Sequence, residues 1–476
     1  MIRILFAAGE AVPFVKTGGL ADVAGSLPRA LHSRYMECRV VIPLYADISQ
    51  DLRRDMTFLT SFDVPVAWRH QYCGVFEAHV GGVTYYLLDN EYYFKRAGIY
   101  GHYDDAERFV FFSRAVLEMI RHIDFRPDVV HANDWHTALI PLFYEAFYGE
   151  DPAYTGIRTV FTVHNVQYQG HYGRELLEDM LGLPPEFWPA VEMGDGVNFL
   201  KSALVTADAV TTVSPGYAEE LKIPYYAYGL DALFRGCGER LSGILNGIDT
   251  RSYDPARDPS LSAPFRAGDT DGKRQDKRAL QQELGLPESE GTMLVGMVSR
   301  LVENKGLDLV AYALDELLTD RVQVAVLGTG DLKYETFFRE KARRYPGRLA
   351  AVIGFREDLA RRIYAGSDVL LMPSRTEPCG LAQMVAMRYG TVPVVHATGG
   401  LADSVKDNGG DDGNGYTFKT FNAGDMLGAL RRAEGAFAQP ELWQGLVDRA
   451  MAADFSWRAS AARYRTLYQT LVGRKS

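Results

Sequence analysis

Pro373 to Val405 reads PSRTEPCGLAQMVAMRYGTVPVVHATGGLADSV, and its order of strand end, loop, helix, strand and second loop decides the fold class. Asp368 to Met372 is a short apolar run of strand type. Glu377-Pro378-Cys379-Gly380 is a turn, and Leu381 to Arg388 is a helical pattern that carries Leu381, Val385 and Met387 toward a sheet. Thr391 to Ala397 is a second buried strand. It ends in Thr398-Gly399-Gly400-Leu401-Ala402-Asp403, where two glycines free the backbone to present N–H groups at a helix start, a geometry suited to an anion. The same hexapeptide, Thr17 to Asp22, follows Lys16 after the first strand of the chain. One copy alone reads as an ordinary turn before a helix; two identical copies point to a backbone cradle in each half.

Working outward, Ile2 to Ala8 is a buried-type strand, Ala21 to Leu31 a helix and Arg39 to Pro43 the next strand, a strand-loop-helix-strand unit. Similar strands follow at Thr84 to Asp89, Val129 to Ala132, Thr159 to Val163, Ala209 to Val213 and Leu241 to Leu245, with helices such as Ala106 to Ile120 between several of them. The alternation predicts a mostly parallel α/β sheet with function at the carboxyl ends of its strands, where Asn133-Asp134-Trp135-His136, His164-Asn165 and Ser214-Pro215 stand. Asp254 to Lys273, rich in Gly and Asp, reads as an exposed connection. The alternation then restarts at Met293 to Ser299, Val322 to Leu327, Ala350 to Gly354, Val369 to Met372 and Val392 to Val395. At 476 residues the chain exceeds a single core. The expected division is 1–243, 244–455 and a final helix 456–476, with Ser456 as N-cap and Trp457, Tyr464, Leu467, Tyr468 and Leu471 at three- and four-residue spacing. Two doubly wound, Rossmann-like domains facing a central cleft is the economical reading.

The composition, 47% hydrophobic and 24% charged, is that of an ordinary globular protein, and the net charge of -10 argues against nucleic-acid or anionic-membrane partners. Cys38, Cys73, Cys237 and Cys379 lie far apart, without disulfide-framework or zinc spacing. The apolar run Ile4 to Ala8 is too short for a signal-peptide core, and no stretch of about 18 apolar residues occurs, so a reduced, cytoplasmic setting is expected.

Arg300 and Lys305, in Ser299-Arg300-Leu301-Val302-Glu303-Asn304-Lys305-Gly306, stand where a strand runs into a helix. They read either as a fork and a point charge for a diphosphate or as two solvated surface cations. Glu377 could orient sugar hydroxyls or act as a nucleophile, but spacing alone favours a helix N-terminal carboxylate. His131, His136 and His164 lack metal-ligand spacing. Ala8-Gly9-Glu10-Ala11-Val12-Pro13 is not the glycine fingerprint of a dinucleotide fold. Tyr92-Tyr93-Phe94 beside Arg96 and Tyr100 is a candidate sugar-stacking face.

Taken together, the motifs resemble bacterial glycogen synthases and plant starch synthases, retaining glucosyltransferases of the GT-B fold. They are Lys16 to Val23, His131 to His136, Phe161 to Asn165, Asn246 to Asp249, Ser299 to Leu301, Lys305-Gly306, and Glu377 to Leu381 through Asp403, in family order from residue 16 to 405. The resemblance implies transfer of glucose from ADP-glucose to the non-reducing 4-hydroxyl of an α-1,4-glucan, with retention and with neither metal nor cofactor. UDP-glucose as donor, or a non-catalytic glucan- or nucleotide-binding protein, are the alternatives. By the same resemblance Lys16, the amides of Gly18 and Gly19, Arg300 and Lys305 hold the donor diphosphate, helped by Thr398, Gly399, Gly400 and Leu401. Cys379, Gly380 and Leu381 join the donor-binding set. Phe355 stacks on the base; Asp22, His164 and Glu377 surround the donor glucose, and Asp134 lies near the reaction centre. The first domain is then the acceptor side and the second the nucleotide-sugar side, which implies closure about a hinge near Gly243 to Asp249. Asn304, Thr376 and Pro224-Tyr225-Tyr226-Ala227 depart from the family's usual Gln, Phe and Pro-Glu-aromatic-Gly; the last bears on acceptor preference.

Overall fold

The structure, a computed structural model, describes residues 1–409 and 412–473. It divides into two units, Met1–Gly247 with Trp457–Ser476, and Ile248–Ser456. The first break lies just beyond Gly243 because Leu241–Gly243 is still a strand of the first sheet. Residues 474–476 of the expected final helix lie outside the described residues.

The first unit is built on a nine-stranded sheet. Its strands are β1 (Ile2–Ala7), β2 (Met36–Pro43), β3 (Thr57–Val66), β4 (Arg69–Val80), β5 (Val83–Asp89), β6 (Val129–Asn133), β7 (Arg158–Val163), β11 (Ala209–Thr212) and β12 (Leu241–Gly243). The spatial order is β12-β11-β7-β6-β1-β2-β5-β4-β3, parallel except at β5-β4 and β4-β3. Between β7 and β11, β8 (His171–Gly173), β9 (Glu192–Met193) and β10 (Gly196–Asn198) form a small antiparallel sheet. Ile4 to Ala7 have no exposed surface, as expected of a parallel strand covered on both faces. The helix Gly19–Leu31 buries Leu20, Val23, Ala24, Leu27 and Leu31, one face at helical spacing. The antiparallel hairpin β3-β4 was not legible in the sequence: β3 is an edge strand whose first seven residues stay largely solvated, so its apolar alternation is weak.

The final helix, Trp457–Gly473, belongs to this unit. It buries Trp457, Ala461, Tyr464, Tyr468 and Leu471, while Leu467, expected on that face, is only half-buried. Tyr468 Oη lies 2.7 Å from Nδ1 of the buried His131 on β6, and Ser460 Oγ donates to the carbonyl of Leu245 at 2.6 Å.

The second unit carries β13 (Met293–Val298), β14 (Val322–Gly328), β15 (Leu349–Ile353), β16 (Val369–Met372), β17 (Val392–His396) and β18 (Tyr416–Phe418) in the all-parallel order β15-β14-β13-β16-β17-β18. Asp254 to Lys273 is not a loose connection. Phe265 is buried, a helix starts at Asp271, and Lys273 Nζ donates to the carbonyls of Ala365, Ser367 and Tyr389 and to Thr391 Oγ1 at 2.6–3.0 Å. A polar composition concealed this because the ammonium goes inside fully hydrogen-bonded, its pKa pushed down to about 7 chiefly by burial. Among the described residues no helix is long and apolar enough to cross a membrane.

Candidate functional site

In each unit the chain winds outward in both directions from one pair of neighbouring strands, and the carboxyl ends part there, leaving a crevice. In the second unit the pair is β13 and β16. The crevice is a cavity of about 190 Å³ whose polar lining comes from Arg300, Lys305, Ser374, Glu377 and Gly380, with Leu381 beside them.

Lys305 Nζ donates to Glu377 Oε2 at 2.6 Å, and Ser374 Oγ donates to the same oxygen at 2.8 Å. The Lys305 and Glu377 side chains keep only 17% and 10% of their surface exposed, so the pair is held in a largely desolvated setting. His396 Nδ1 lies 2.8 Å from the Ser374 carbonyl, which can only accept; the imidazole therefore carries its proton on Nδ1 and pins the loop. Gly306 sets where Lys305 stands. Its φ is 70°, and a Cβ there would sit 1.9 Å from the Pro373 carbonyl oxygen. The Arg375 N–H donates to the Asn304 carbonyl at 2.8 Å, closing the contact between the two loops.

The second glycine cradle is partly used by the protein itself. The Gly400 N–H donates to the Glu377 carbonyl at 3.0 Å, and a Cβ on Gly400 would meet the Cys379 carbonyl oxygen at 2.2 Å. The Thr398 to Leu401 loop thus supports the Glu377 turn as well as opening the short helix Gly399–Ser404. Cys379 is buried, and Gly380 has a φ of 70° just before the helix Ala382–Arg388. Arg300 is exposed and forms no side-chain hydrogen bond or ion pair among the described residues, and Phe355, just past β15, is 87% exposed.

In the first unit the parting strands are β1 and β6. Asp134 follows β6 with φ 57° and ψ 177°, a conformation that costs an ordinary side chain on the order of 1–3 kcal/mol. Its Oδ1 accepts from the N–H groups of His164 at 2.7 Å and Asn165 at 3.4 Å, and burial pushes the carboxyl up to about 7. His164 Nε2 lies 3.0 Å from Asn133 Oδ1. Because Asn133 Nδ2 donates to the carbonyls of Ala7 and His131, its oxygen must face His164, which puts the imidazole proton on Nε2. Burial pushes His164 down to about 3 and leaves the ring neutral.

Lys16 Nζ donates to Asp22 Oδ1 at 2.7 Å, linking the ends of the first cradle. A Cβ on Gly19 would meet nothing within 4 Å, and on Gly18 only Glu10 Oε1 at 3.8 Å, so the protein's own packing does not require glycine at either place. Glu10 is a residue that sequence reasoning missed. Buried at 2% exposure, it accepts from the backbone N–H and Oγ1 of Thr17 and so holds the cradle, and burial raises its pKa. An acid directly after the first strand was the available signal. Ser374 and His396 were missed too, since neither residue type stands out beside a strand end. Of the candidate stacking face only Tyr92 is exposed; Tyr93 and Phe94 are core, because an aromatic run at a helix turn cannot all face water. Among the described residues no group of three or more His, Cys, Asp or Glu is placed to hold a metal ion.

Residues 3–236 match the family model of the starch synthase catalytic domain, and residues 276–435 match glycosyl transferases group 1. The chain is 48% identical over 475 residues to a glycogen synthase of Geobacillus thermodenitrificans, covering 99% of this chain and 98% of the relative. It is 47% identical to one of Bacillus anthracis, covering 99% and 100%. The catalytic domain of starch synthase IV from Arabidopsis thaliana, solved bound to ADP and acarbose, superposes with a TM-score of 0.90 at 35% identity, over 99% of both chains. Sucrose-phosphate synthase from Thermosynechococcus elongatus shares the fold, with a TM-score of 0.61 at 18% identity over 99% and 100% of the chains.

Proposed function

Because the chain belongs to the glycogen and starch synthase family of GT-B glycosyltransferases, we propose that it extends α-1,4-glucan from ADP-glucose, with retention, without a metal, and in the cytoplasm. The observation that carries the reading is the Lys305–Glu377 pair, anchored by Ser374 where β13 and β16 part. In the reaction the bond from glucose C1 to the diphosphate oxygen breaks, its electron pair leaving with the diphosphate. The bond from C1 to the acceptor O4 forms on the same face, and the acceptor's hydroxyl proton passes to the departing diphosphate.

Charge on the leaving group is the main obstacle, so fixed cations there lower the barrier most. Arg300 and Lys305 serve that charge, with Lys16 and the amides of Gly18, Gly19 and the Thr398–Gly399 turn as further diphosphate contacts. Glu377, its carboxylate already oriented by two donors, accepts from donor sugar hydroxyls and is not the nucleophile. Neutral His164 and Asp22 contact the same sugar, Asp134 lies near C1, and Phe355 stacks on the adenine. A related starch synthase bound to ADP supports the adenine nucleotide, and the four buried, free cysteines suit a reducing compartment. The test is nucleotide release by purified protein with glycogen and either ADP-glucose or UDP-glucose. Glycogen-dependent release is expected with ADP-glucose and only weakly with UDP-glucose; the reverse order would overturn the donor assignment.

A further inference from the structure

A second pocket in the second unit lies away from this chemistry. It has a volume of about 560 Å³ and sits at the amino-terminal edge of the sheet, against the residues that precede β13, β14 and β16. As β13 is six residues long, the two edges lie about 20 Å apart. Its size falls among ordinary ligand pockets, which run from about 300 to 1,000 Å³.

One wall is aromatic. Phe437 and Trp443 meet edge to face, with ring centroids 5.3 Å apart at 88°, and both are half-buried, leaving ring surface toward the pocket. The floor is fixed. Lys277 Nζ is bonded to Asp368 Oδ2 at 2.7 Å and to the carbonyls of Thr292 and Glu290 at 2.8 and 3.1 Å, and it stands 4.9 Å from the centre of the Phe437 ring. Lys273 behind it is saturated by its four oxygens. At the rim Arg274 is paired with Asp271, whereas Arg321 and Glu434 line the pocket without an ion pair among the described residues.

These groups choose among ligand classes. A polyphosphate needs several uncommitted cations, and of the four that line the pocket Lys273, Arg274 and Lys277 are already bonded to protein oxygens among the described residues, which leaves Arg321, with the acid Glu434 on the same rim. An apolar ligand would leave Arg321 and Glu434 desolvated and unpaired, which costs free energy. A neutral ring with one apolar face and hydroxyls at its edge suits all of them: the face covers Trp443, while the hydroxyls donate to Glu434 and accept from Arg321. We infer that this pocket is a second, non-catalytic binding site for glucosyl units of the α-glucan polymer. The choice of glucan rests on the function proposed above; the pocket's preference for a neutral polyol does not. A chain held there raises the effective concentration of its ends at the enzyme without touching the transfer step.

The test uses the full-length protein and the variants Trp443→Ala and Glu434→Gln, the second a half-exposed change that leaves the aromatic wall intact. Retardation in native gels containing glycogen is measured beside the kinetics. Trp443→Ala should migrate faster than wild type, with a KM for glycogen raised roughly threefold to tenfold, the range for losing one aromatic partner. Glu434→Gln should change in the same direction by less, and kcat and the KM for nucleotide sugar should stay constant. Unchanged retardation and unchanged KM for glycogen in both variants would overturn the inference. So would quenching of Trp443 fluorescence by inorganic phosphate or ADP but not by maltoheptaose, which would mark an anion site. Wild type that transfers no glucose but whose retardation is lost in Trp443→Ala would instead count against the proposed reaction while upholding the pocket.

Discussion

Replacing Asp134 by Asn should make the protein more stable and much less active, and the size of the gain follows from burial. The carboxyl is pushed up from 3.8 to about 7, with desolvation as the main cause and the His164 and Asn165 amides opposing it. At about 1.4 kcal/mol per pKa unit, keeping Asp134 ionised in the folded state near pH 8 costs about 4 kcal/mol. The sign is that of a raised acid: the folded state holds a proton that the unfolded chain releases, so stability falls as pH climbs from about 4 to about 7 and is level above. Asn is neutral throughout, keeps an oxygen for both amides, and bears the same backbone cost as Asp at this φ and ψ. The variant's advantage should therefore be about 4 kcal/mol near pH 8 and less than half of that near pH 5. Urea midpoints of wild type and variant at the two pH values measure the difference, with kcat expected to fall by roughly 10² or more as the reaction centre loses its charge. An advantage that is the same at both pH values would refute the reasoning, because it would mean that Asp134 does not carry the strained charge.

Gly306→Ala should lower stability by about 2 kcal/mol or more, through positive φ and the clash with Pro373, and should lower kcat with it; a thermal midpoint equal to wild type would show that the loop yields freely. Glu377 should never become glucosylated: mass analysis of protein quenched after exposure to donor alone should find no adduct, and an adduct lost in Glu377→Gln would establish a covalent route. Activity should survive chelation by EDTA, and loss restored by one divalent ion would show a metal requirement.

Most of both sheets was legible because parallel strands covered on two faces read as apolar runs, and most of the termini so read fall within a residue or two of the positions the pattern implies, whereas the three-residue edge strand β18 is too short to show a pattern. The edge hairpin β3-β4 was not, since half-solvated strands lack that pattern. The burial of Lys273 was hidden for a different reason: a lysine inside is made tolerable by carbonyls at residues 365, 367 and 389, which sequence does not place together. At the site, Lys305 stood out as a cation where a strand runs into a helix, while the spacing of Glu377 favoured a helix N-terminal carboxylate and only the family resemblance set it beside the donor; the structure adds that the two are bonded to each other. Ser374, His396 and Glu10 were silent because their work is to orient groups on other segments, through contacts that long-range folding creates. The role of Gly400 was half legible; its place in a glycine pair suggested an amide for an anion, whereas its amide holds the Glu377 carbonyl.

The most direct test is the kcat of Lys305→Ala with ADP-glucose and glycogen, both saturating. If Lys305 stabilises the departing diphosphate, kcat falls by roughly 10² to 10³, the scale of losing one preorganised charge-stabilising group. A loss below about threefold, in protein whose Glu377 loop remains folded, would show Lys305 to be a surface cation and contradict the account.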